Sequence, residues 1–421
     1  MCDEVVEEID QKAKRRCRFC RTPLEKTFAD LGVSPLANSY LQAADLQKME
    51  RFYPLHVYVC PSCFLVQIEE IGSPLEIFSD YLYFSSYSES WLQHAAGFAR
   101  EAISSFNLNS SSRVVEIGSN DGYLLRFFME AGVGVLGIEP AENVATVARS
   151  KGVETVSRFF GSPLAGELAA QGRQADLLVG NNVIAHIPDL NDLMQGLRML
   201  LKAEGVISLE FPHLLSLMEQ NQFDTIYHEH YSYFSLTTIK RVFEAHELKV
   251  FDAELLQTHG GSLRVYACHG GNEKRVVSRR VEDICLLEEN KGLKEIAVYE
   301  AFSEQVKAVK RAILKFLIEL KEQGSTIAGY GAPAKGNTLL NYCGIGTDFI
   351  DFTVDRSPHK QGFFLPGSRI PVYDPEYIFK ARPDYLLILP WNLKEEISGQ
   401  MEGIRKWGGK FITLIPEIEI F

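Results

Sequence analysis

The chain has 421 residues, 43 Lys and Arg against 55 Asp and Glu for a net charge of −12, and 46% hydrophobic with 23% charged residues. That is an ordinary globular composition with room for two or three domains. The acidic balance disfavours a protein that coats nucleic acid or an anionic membrane, which would need a dominant basic field, but a small anionic substrate needs only a few local cations.

No apolar run reaches bilayer length, and the first residues, MCDEVVEEIDQKAKRR, are charged where a secretory leader is apolar. A cytoplasmic protein is expected, with residues 1–15 as a disordered tail. Two cysteine knuckles follow, CRFC (Cys17, Cys20) and CPSC (Cys60, Cys63). A two-residue spacer aims both sulfurs of a knuckle at one point, so two knuckles can surround one zinc ion, and four protein ligands leave no open position for catalysis. A structural zinc in a domain over residues 16–78 is the expectation; four unrelated buried thiols, or a redox pair, are the alternatives. Cys2, Cys268, Cys285 and Cys343 read as ordinary core or tail thiols.

After the aromatic and serine-rich FSDYLYFSSYSESW comes RVVEIGSNDGYLLRFFMEAGVGVLGIEP, Arg113 to Pro140. An apolar strand ends at Glu116-Ile117-Gly118, a polar turn carries Asn120, and Gly122 precedes an apolar helical segment. A second buried strand, Val133 to Ile138, ends at Glu139, placed where an acid can accept from both ribose hydroxyls of an adenosine cofactor. A dinucleotide site needs GxGxxG so that the pyrophosphate can approach the helix N-terminus. Here the turn is ExGxNxG, which suits S-adenosylmethionine, a ligand with no pyrophosphate to cradle. ADLLVGNN then gives a strand ending at Asn181 and Asn182, followed by an amphipathic helix with Leu193, Leu197, Leu200 and Leu201 and another strand. The ordered series over residues 110–215 resembles the class I methyltransferases.

FDTIYHEHYSYFS packs two histidines, a glutamate and three tyrosines into Tyr227 to Tyr233. Three readings compete: a metal site, an acid/base site, and the polar rim of a domain junction. In an extended strand His228 and His230 share a face and could ligate a metal, while Tyr227 and Glu229 lie opposite His230, so joint action needs a twisted or irregular segment. His186, beyond the Asn182 strand, is a further candidate.

From Tyr299 to Leu320, Phe302, Val306, Val309, Ile313, Phe316, Leu317 and Leu320 recur at helical spacing and predict a long amphipathic helix leading into the last domain. STIAGYGAPAKGNTLLNYCGIG then sends a strand into Gly329-Tyr330-Gly331 and a helix out after Gly336, with FIDFTVD and DYLLILPW as further strands. Such a unit has the backbone to receive phosphate, with Lys335, Arg356, His359 and Lys360 to neutralise it. Ala334 replaces the third glycine of a dinucleotide pattern.

The CxxC pairs, EIGSNDGYLL, the IPDL helix start, FDTIYHEHYSYFS, HGGSLRVY (His259 to Tyr266) and GYGAPAKGNTLLNYCGIG occur in an order that resembles the sugar C-methyltransferases of deoxysugar pathways, such as that of D-tetronitrose. The likeness spans nearly the whole chain after the tail. It implies an α/β protein with a small N-terminal zinc-binding domain, a Rossmann-like class I S-adenosylmethionine domain over residues 79–290 and a C-terminal Rossmann-like domain over 291–421. Family members methylate carbon 3 of a nucleotide-linked 4-keto-6-deoxyhexose, on dTDP or GDP, with structural Zn2+. No nucleic-acid or membrane partner is implied, and a monomer is the default.

By the same resemblance Glu116, Gly118, Asn120, Gly122, Glu139, Asn181 and Asn182 hold the cofactor. His230 is the general base, Tyr227 donates to the ketone or enolate oxygen, and Glu229 orients an imidazole and raises its basicity. Tyr83 matches a tyrosine of the family's substrate pocket. His259, Arg264, Lys335, Asn337, Arg356 and Lys360 make up the substrate-binding set. The competing functions are an NAD-dependent nucleotide-sugar oxidoreductase using the C-terminal glycine loop, and a non-catalytic zinc-containing interaction protein.

Overall fold

Alternating short runs build the first sheet of the computed structural model, which describes residues 15–71 and 85–421. Cys2, all but the last residue of the 1–15 tail, and Tyr83 lie outside the described residues. Strands β1 (Lys26–Ser34), β2 (Tyr53–Val59) and β3 (Val66–Ile68) pair antiparallel. Leu55, Val57 and Val59 face inward, and Phe28 stacks on Phe302 at 4.7 Å. Phe302 belongs to the helix Ile296–Glu322, which realises the long amphipathic pattern: Phe302, Val306, Ile313, Leu317 and Leu320 are buried. That helix shares one hydrophobic cluster with the N-terminal strands and the last sheet, so the two ends of the chain pack together.

The central sheet contains β4 (Arg113–Ile117), β5 (Gly134–Ile138), β6 (Thr155–Val156), β7 (Ala175–Asn181) and β8 (Leu201–Pro212). All five run parallel, and their continuous apolar runs are what burial on both faces requires. The short strand β9 (Ser232–Tyr233) leaves this sheet and pairs with β3 instead, Val66 with Tyr233 and Gln67 with Ser232. Strands β10 (Leu248–Leu256) and β11 (Ser262–His269) complete the order β10-β11-β8-β7-β4-β5-β6, with β11 antiparallel to both neighbours. This is the class I methyltransferase architecture expected from the sequence. The helix Leu190–Leu200 buries Leu193, Leu197 and Leu200 and is capped by Asp189, which accepts from the Asp192 amide; Leu201 opens β8 rather than closing the helix.

The last sheet comprises β12 (Ile327–Tyr330), β13 (Thr353–Val354), β14 (Val372–Tyr373), β15 (Tyr385–Ile388), β16 (Lys410–Thr413) and β17 (Glu419–Ile420). It is ordered β14-β13-β12-β15-β16-β17 and is parallel except for β17. The helix after the glycine turn spans Ala334–Cys343 and so begins before Gly336, with Gly344 at φ 71° closing it. Among the described residues no helix is long and apolar enough to cross a membrane.

Candidate active site

The four knuckle sulfurs, from Cys17, Cys20, Cys60 and Cys63, lie within 4.8 Å of one another. Individual separations are 3.4 Å for Cys20–Cys60 and 3.6 Å for Cys17–Cys63 and Cys20–Cys63. Tetrahedral zinc with Zn–S bonds of about 2.3 Å sets sulfurs about 3.8 Å apart, so the cradle fits the ion. Gln67 supplies outer support, donating Nε2–H to Cys17 Sγ at 3.3 Å and accepting from the Arg18 amide at 2.9 Å. Arg18 reaches the Pro188 carbonyl at 2.7 Å, and Asn191 donates to the Arg18 and Phe19 carbonyls. The metal cradle is thereby bolted to the loop and helix that follow β7.

At the carboxyl ends of the parallel strands, where open α/β sheets bind ligands, the ExGxNxG turn is tight. Gly118, Asn120 and Gly122 have φ of 65°, 49° and 77°. A Cβ on Gly118 would meet Val183 at 2.7 Å, so only glycine fits there. Glu139 is fixed by the amides of Asn120 (3.0 Å) and Ala141 (2.9 Å). Burial lifts Glu116 well above the ordinary carboxylate range and lifts Glu139 in the same direction. The amide oxygens of Asn181 and Asn182 are buried without a hydrogen-bond partner. Buried acceptors lacking donors, beside two carboxyls whose ionised form burial disfavours, fit a cationic ligand whose N–H groups and charge would compensate both, and S-adenosylmethionine has an ammonium and a sulfonium. Ser85 closes over the turn, its amide donating to Asn120 Oδ1 at 2.9 Å.

The YHEH segment is a turn rather than a strand: the His230 amide donates to the Tyr227 carbonyl at 2.9 Å. The turn brings Tyr227 and His230 together, with the Tyr227 hydroxyl 2.8 Å from His230 Nε2. Nδ1 of His230 lies 2.8 Å from the Thr225 carbonyl; a carbonyl only accepts, so Nδ1 carries the proton and Nε2 offers its lone pair. His186 packs edge-on against His230 at 4.7 Å between centroids. Burial lowers His230 well below the ordinary histidine value, with His186 adding to the shift, and burial lowers His186 to about 4. The ring is a neutral base.

Two expectations for this segment need correction. Glu229 does not orient His230; the turn sends its carboxyl the other way, to accept from Asn38 Nδ2 at 2.7 Å. Burial raises Glu229 to about 7, opposed by that bond, and the group that orients the His230 ring is the Thr225 carbonyl. Nor do His228 and His230 share a face: His228 Nε2 reaches the Pro54 carbonyl at 3.2 Å. Among the described residues the four cysteines form the only cluster suited to a metal.

His259 sits in the left-handed region at φ 53°, its ring 4.9 Å from Trp91, and burial lowers it to about 4. The sequence suggested that Arg264 lines the substrate pocket, but it is not free for substrate. It is buried and donates to Glu210 at 2.6 Å, where His94 (2.8 Å) and Thr258 (2.8 Å) also converge. Burial alone would raise Glu210, but hydrogen bonding from His94 and the Arg264 charge bring it down to about 2. Sequence reasoning missed Glu210, whose charge partner lies 54 positions away. The pair braces the His259 loop through Thr258.

The C-terminal set does not converge on a diphosphate. Asn337 is buried and donates to the Ala37 carbonyl at 2.6 Å, tying the domains together. Lys360 donates to the Ala332 carbonyl at 2.8 Å and faces Asp355 at 3.8 Å. Arg356 is exposed and 3.6 Å from Glu396. The glycine-turn amide of Ala332 donates to Asp355 at 2.7 Å, so this turn satisfies its own acid where a pyrophosphate would need the donor. Lys335 lies over the Trp391 ring, whose far edge abuts Gly260 beside His259, and its charge disfavours protonation of both His230 and His259.

Family models match the chain in three blocks: "Putative zinc binding domain" over residues 17–78, "Methyltransferase domain" over 90–253, and "C-methyltransferase C-terminal domain" over 257–416. The chain is 37% identical to C-methyltransferase NovU of Streptomyces niveus over 98% of its own length and 97% of that protein. It is 29% identical to the ubiquinone biosynthesis O-methyltransferase of Bordetella avium (strain 197N) over 27% of this chain and 44% of that one. Among solved structures, magnesium protoporphyrin IX methyltransferase of Synechocystis PCC 6803 aligns with 42% of this chain and 83% of its own, at 16% identity and TM-score 0.35.

Proposed function

The chain belongs to the S-adenosylmethionine-dependent C-methyltransferases, and from that premise we propose that it methylates carbon 3 of a 4-keto-6-deoxyhexose linked to thymidine or guanosine diphosphate. The observation that carries the reading is the hydrogen-bonded series from the Thr225 carbonyl through His230 to the Tyr227 hydroxyl. A carbon beside a ketone is acidic enough to methylate only if a neutral base takes its proton while the developing oxyanion is held. His230 presents an unprotonated Nε2, and its orientation is fixed from behind. For Nε2 to receive the proton, Tyr227 must release it; turning that O–H to the ketone oxygen frees the base and supplies the oxyanion donor together.

S-adenosylmethionine, bound by Glu116, Gly118, Asn120, Gly122, Glu139, Asn181 and Asn182, supplies an electrophilic methyl group on a sulfonium. His259, held on Trp91, lines the sugar side of the pocket, while Arg264 and Glu210 fix its loop. Division into a zinc domain (16–78), a cofactor domain (79–290) and a C-terminal domain (291–421) that meets the substrate through Lys335 rather than through a diphosphate clasp belongs to the same reading, with the zinc structural. The test is mass and NMR analysis of products from S-adenosylmethionine with thymidine- and guanosine-diphosphate 4-keto-6-deoxyhexoses. A product with one methyl in place of hydrogen at carbon 3 supports the reading; methylation on oxygen, or none with either carrier, rejects it.

A further inference from the structure

Trp391 occupies a junction that neither the motifs nor the family resemblance singled out. Its indole N–H donates to Asp224 Oδ2 at 2.7 Å. Asp224 is buried and immediately precedes Thr225, whose carbonyl fixes the base. The far edge of the indole abuts Gly260, where a Cβ would collide with the ring, and Gly260 adjoins His259. On the face of the same ring, 4.7 Å from its centroid, lies the Lys335 ammonium. One side chain thus joins the catalytic turn, the HGG loop and the first turn of the helix Ala334–Cys343.

An ammonium has three donors, and Lys335 has one hydrogen-bond acceptor, Asn392 Oδ1 at 2.8 Å. The other N–H groups are available for a ligand oxygen. A diphosphate is a poor match, because Arg356 and Lys360 are engaged elsewhere and the Ala332 amide is bonded to Asp355. A single developing negative charge near His230 and His259 is a better one.

We propose, resting on the reaction above, that Lys335 is a catalytic residue acting at the ketone end of the substrate, and that Asp224 and Trp391 are the residues that position its ammonium there. The carbon–hydrogen bond breaks, its proton passes to His230 Nε2, and the electron pair forms the carbon–carbon double bond while the carbonyl pair moves to oxygen. That oxygen accepts from Lys335 as well as from Tyr227. Burial lowers the Lys335 ammonium from its usual value, and the Asp224 charge opposes the shift.

The test uses the zinc-loaded protein and the two diphosphate 4-keto-6-deoxyhexoses, comparing wild type with Lys335→Gln, Lys335→Arg and Asp224→Asn. The readouts are kcat, KM and the rate of deuterium uptake beside the ketone, with cofactor affinity confirming an intact fold. Lys335→Gln is expected to lower kcat and uptake together by about 100-fold or more at saturating substrate, with KM moving much less. Lys335→Arg should recover part of the loss. Asp224→Asn should move the basic limb of the pH profile to lower pH, because the ammonium loses its counter-charge, a shift that a merely structural aspartate would not produce. A raised KM with unchanged kcat and uptake would overturn the proposal in favour of a phosphate contact. If wild type takes up no deuterium from either substrate, the carbon-acid reading itself fails.

Discussion

The Tyr227 hydroxyl stands 2.8 Å from Nε2 of His230, while Nδ1 of the same ring is held by the Thr225 carbonyl. In the proposed reaction the base is thereby masked by the group that later serves the oxyanion. Tyr227→Phe unmasks the base and removes the oxyanion donor. Loss of the donor dominates, and kcat is expected to fall about 100-fold or more. A variant within threefold of wild type would show that Tyr227 only packs against the ring.

The acid limb of kcat/KM follows from the same contact. Burial first, then His186, lower His230 well below the usual histidine value, so the ring stays neutral and active as pH falls through 6.5. The limb is therefore expected well below pH 6.5. In Tyr227→Phe the residual activity should show it displaced upward, since the lost bond favoured the neutral ring. A wild-type limb at 6.5 would place His230 in contact with water or exclude it as the base.

Glu229 and Asn38 come from different domains and meet inside the protein at 2.7 Å. Burial raises the carboxyl to about 7, opposed by the bond from Asn38. Glu229→Gln keeps an acceptor for Asn38 and is expected to retain activity within about threefold, whereas Asn38→Leu removes the donor and should destabilise the fold by about 1–3 kcal/mol. Urea unfolding of both variants measures this. A loss of 100-fold in Glu229→Gln would restore a catalytic role to the carboxylate.

How much of this was readable in the sequence depended on range. The knuckles and the ExGxNxG turn are local, so spacing alone placed Cys17, Cys20, Cys60 and Cys63 in one cradle and Gly118, Asn120 and Gly122 in one turn. The YHEH run is also local, but its chemistry depends on curvature: a strand separates Tyr227 from His230 and a turn joins them. The segment leaves the central sheet after β8, and Ser232–Tyr233 pairs with β3 across a separation that no periodicity reveals. Polar side chains were hardest to place. Arg264, Lys360 and Asn337 looked available because their partners, Glu210, the Ala332 carbonyl and the Ala37 carbonyl, are remote in the chain. Asp224 belongs to the FDTIYHEH run and Trp391 ends DYLLILPW, but at 167 positions apart nothing in either segment signalled that they meet.

The zinc cradle should matter to the active site through that pairing. Chelation under denaturing conditions should release about one zinc ion per chain. Metal-stripped protein should lose amide-exchange protection at Tyr233, whose pair partner is Val66, because β3 carries Gln67, which braces Cys17, and also holds β9. Unchanged protection at that amide after stripping would disconnect the metal from the YHEH turn.

The account rests on His230 removing a carbon-bound proton, and deuterium uptake reports that step directly. Wild type and His230→Ala should be incubated in deuterated water with thymidine- and guanosine-diphosphate 4-keto-6-deoxyhexoses, and the hydrogen at carbon 3 followed by NMR. Wild type is expected to exchange it with one of the carriers, and His230→Ala to lose exchange by about 100-fold or more while binding S-adenosylmethionine with wild-type affinity. Exchange at the wild-type rate in His230→Ala would contradict the assignment of the base.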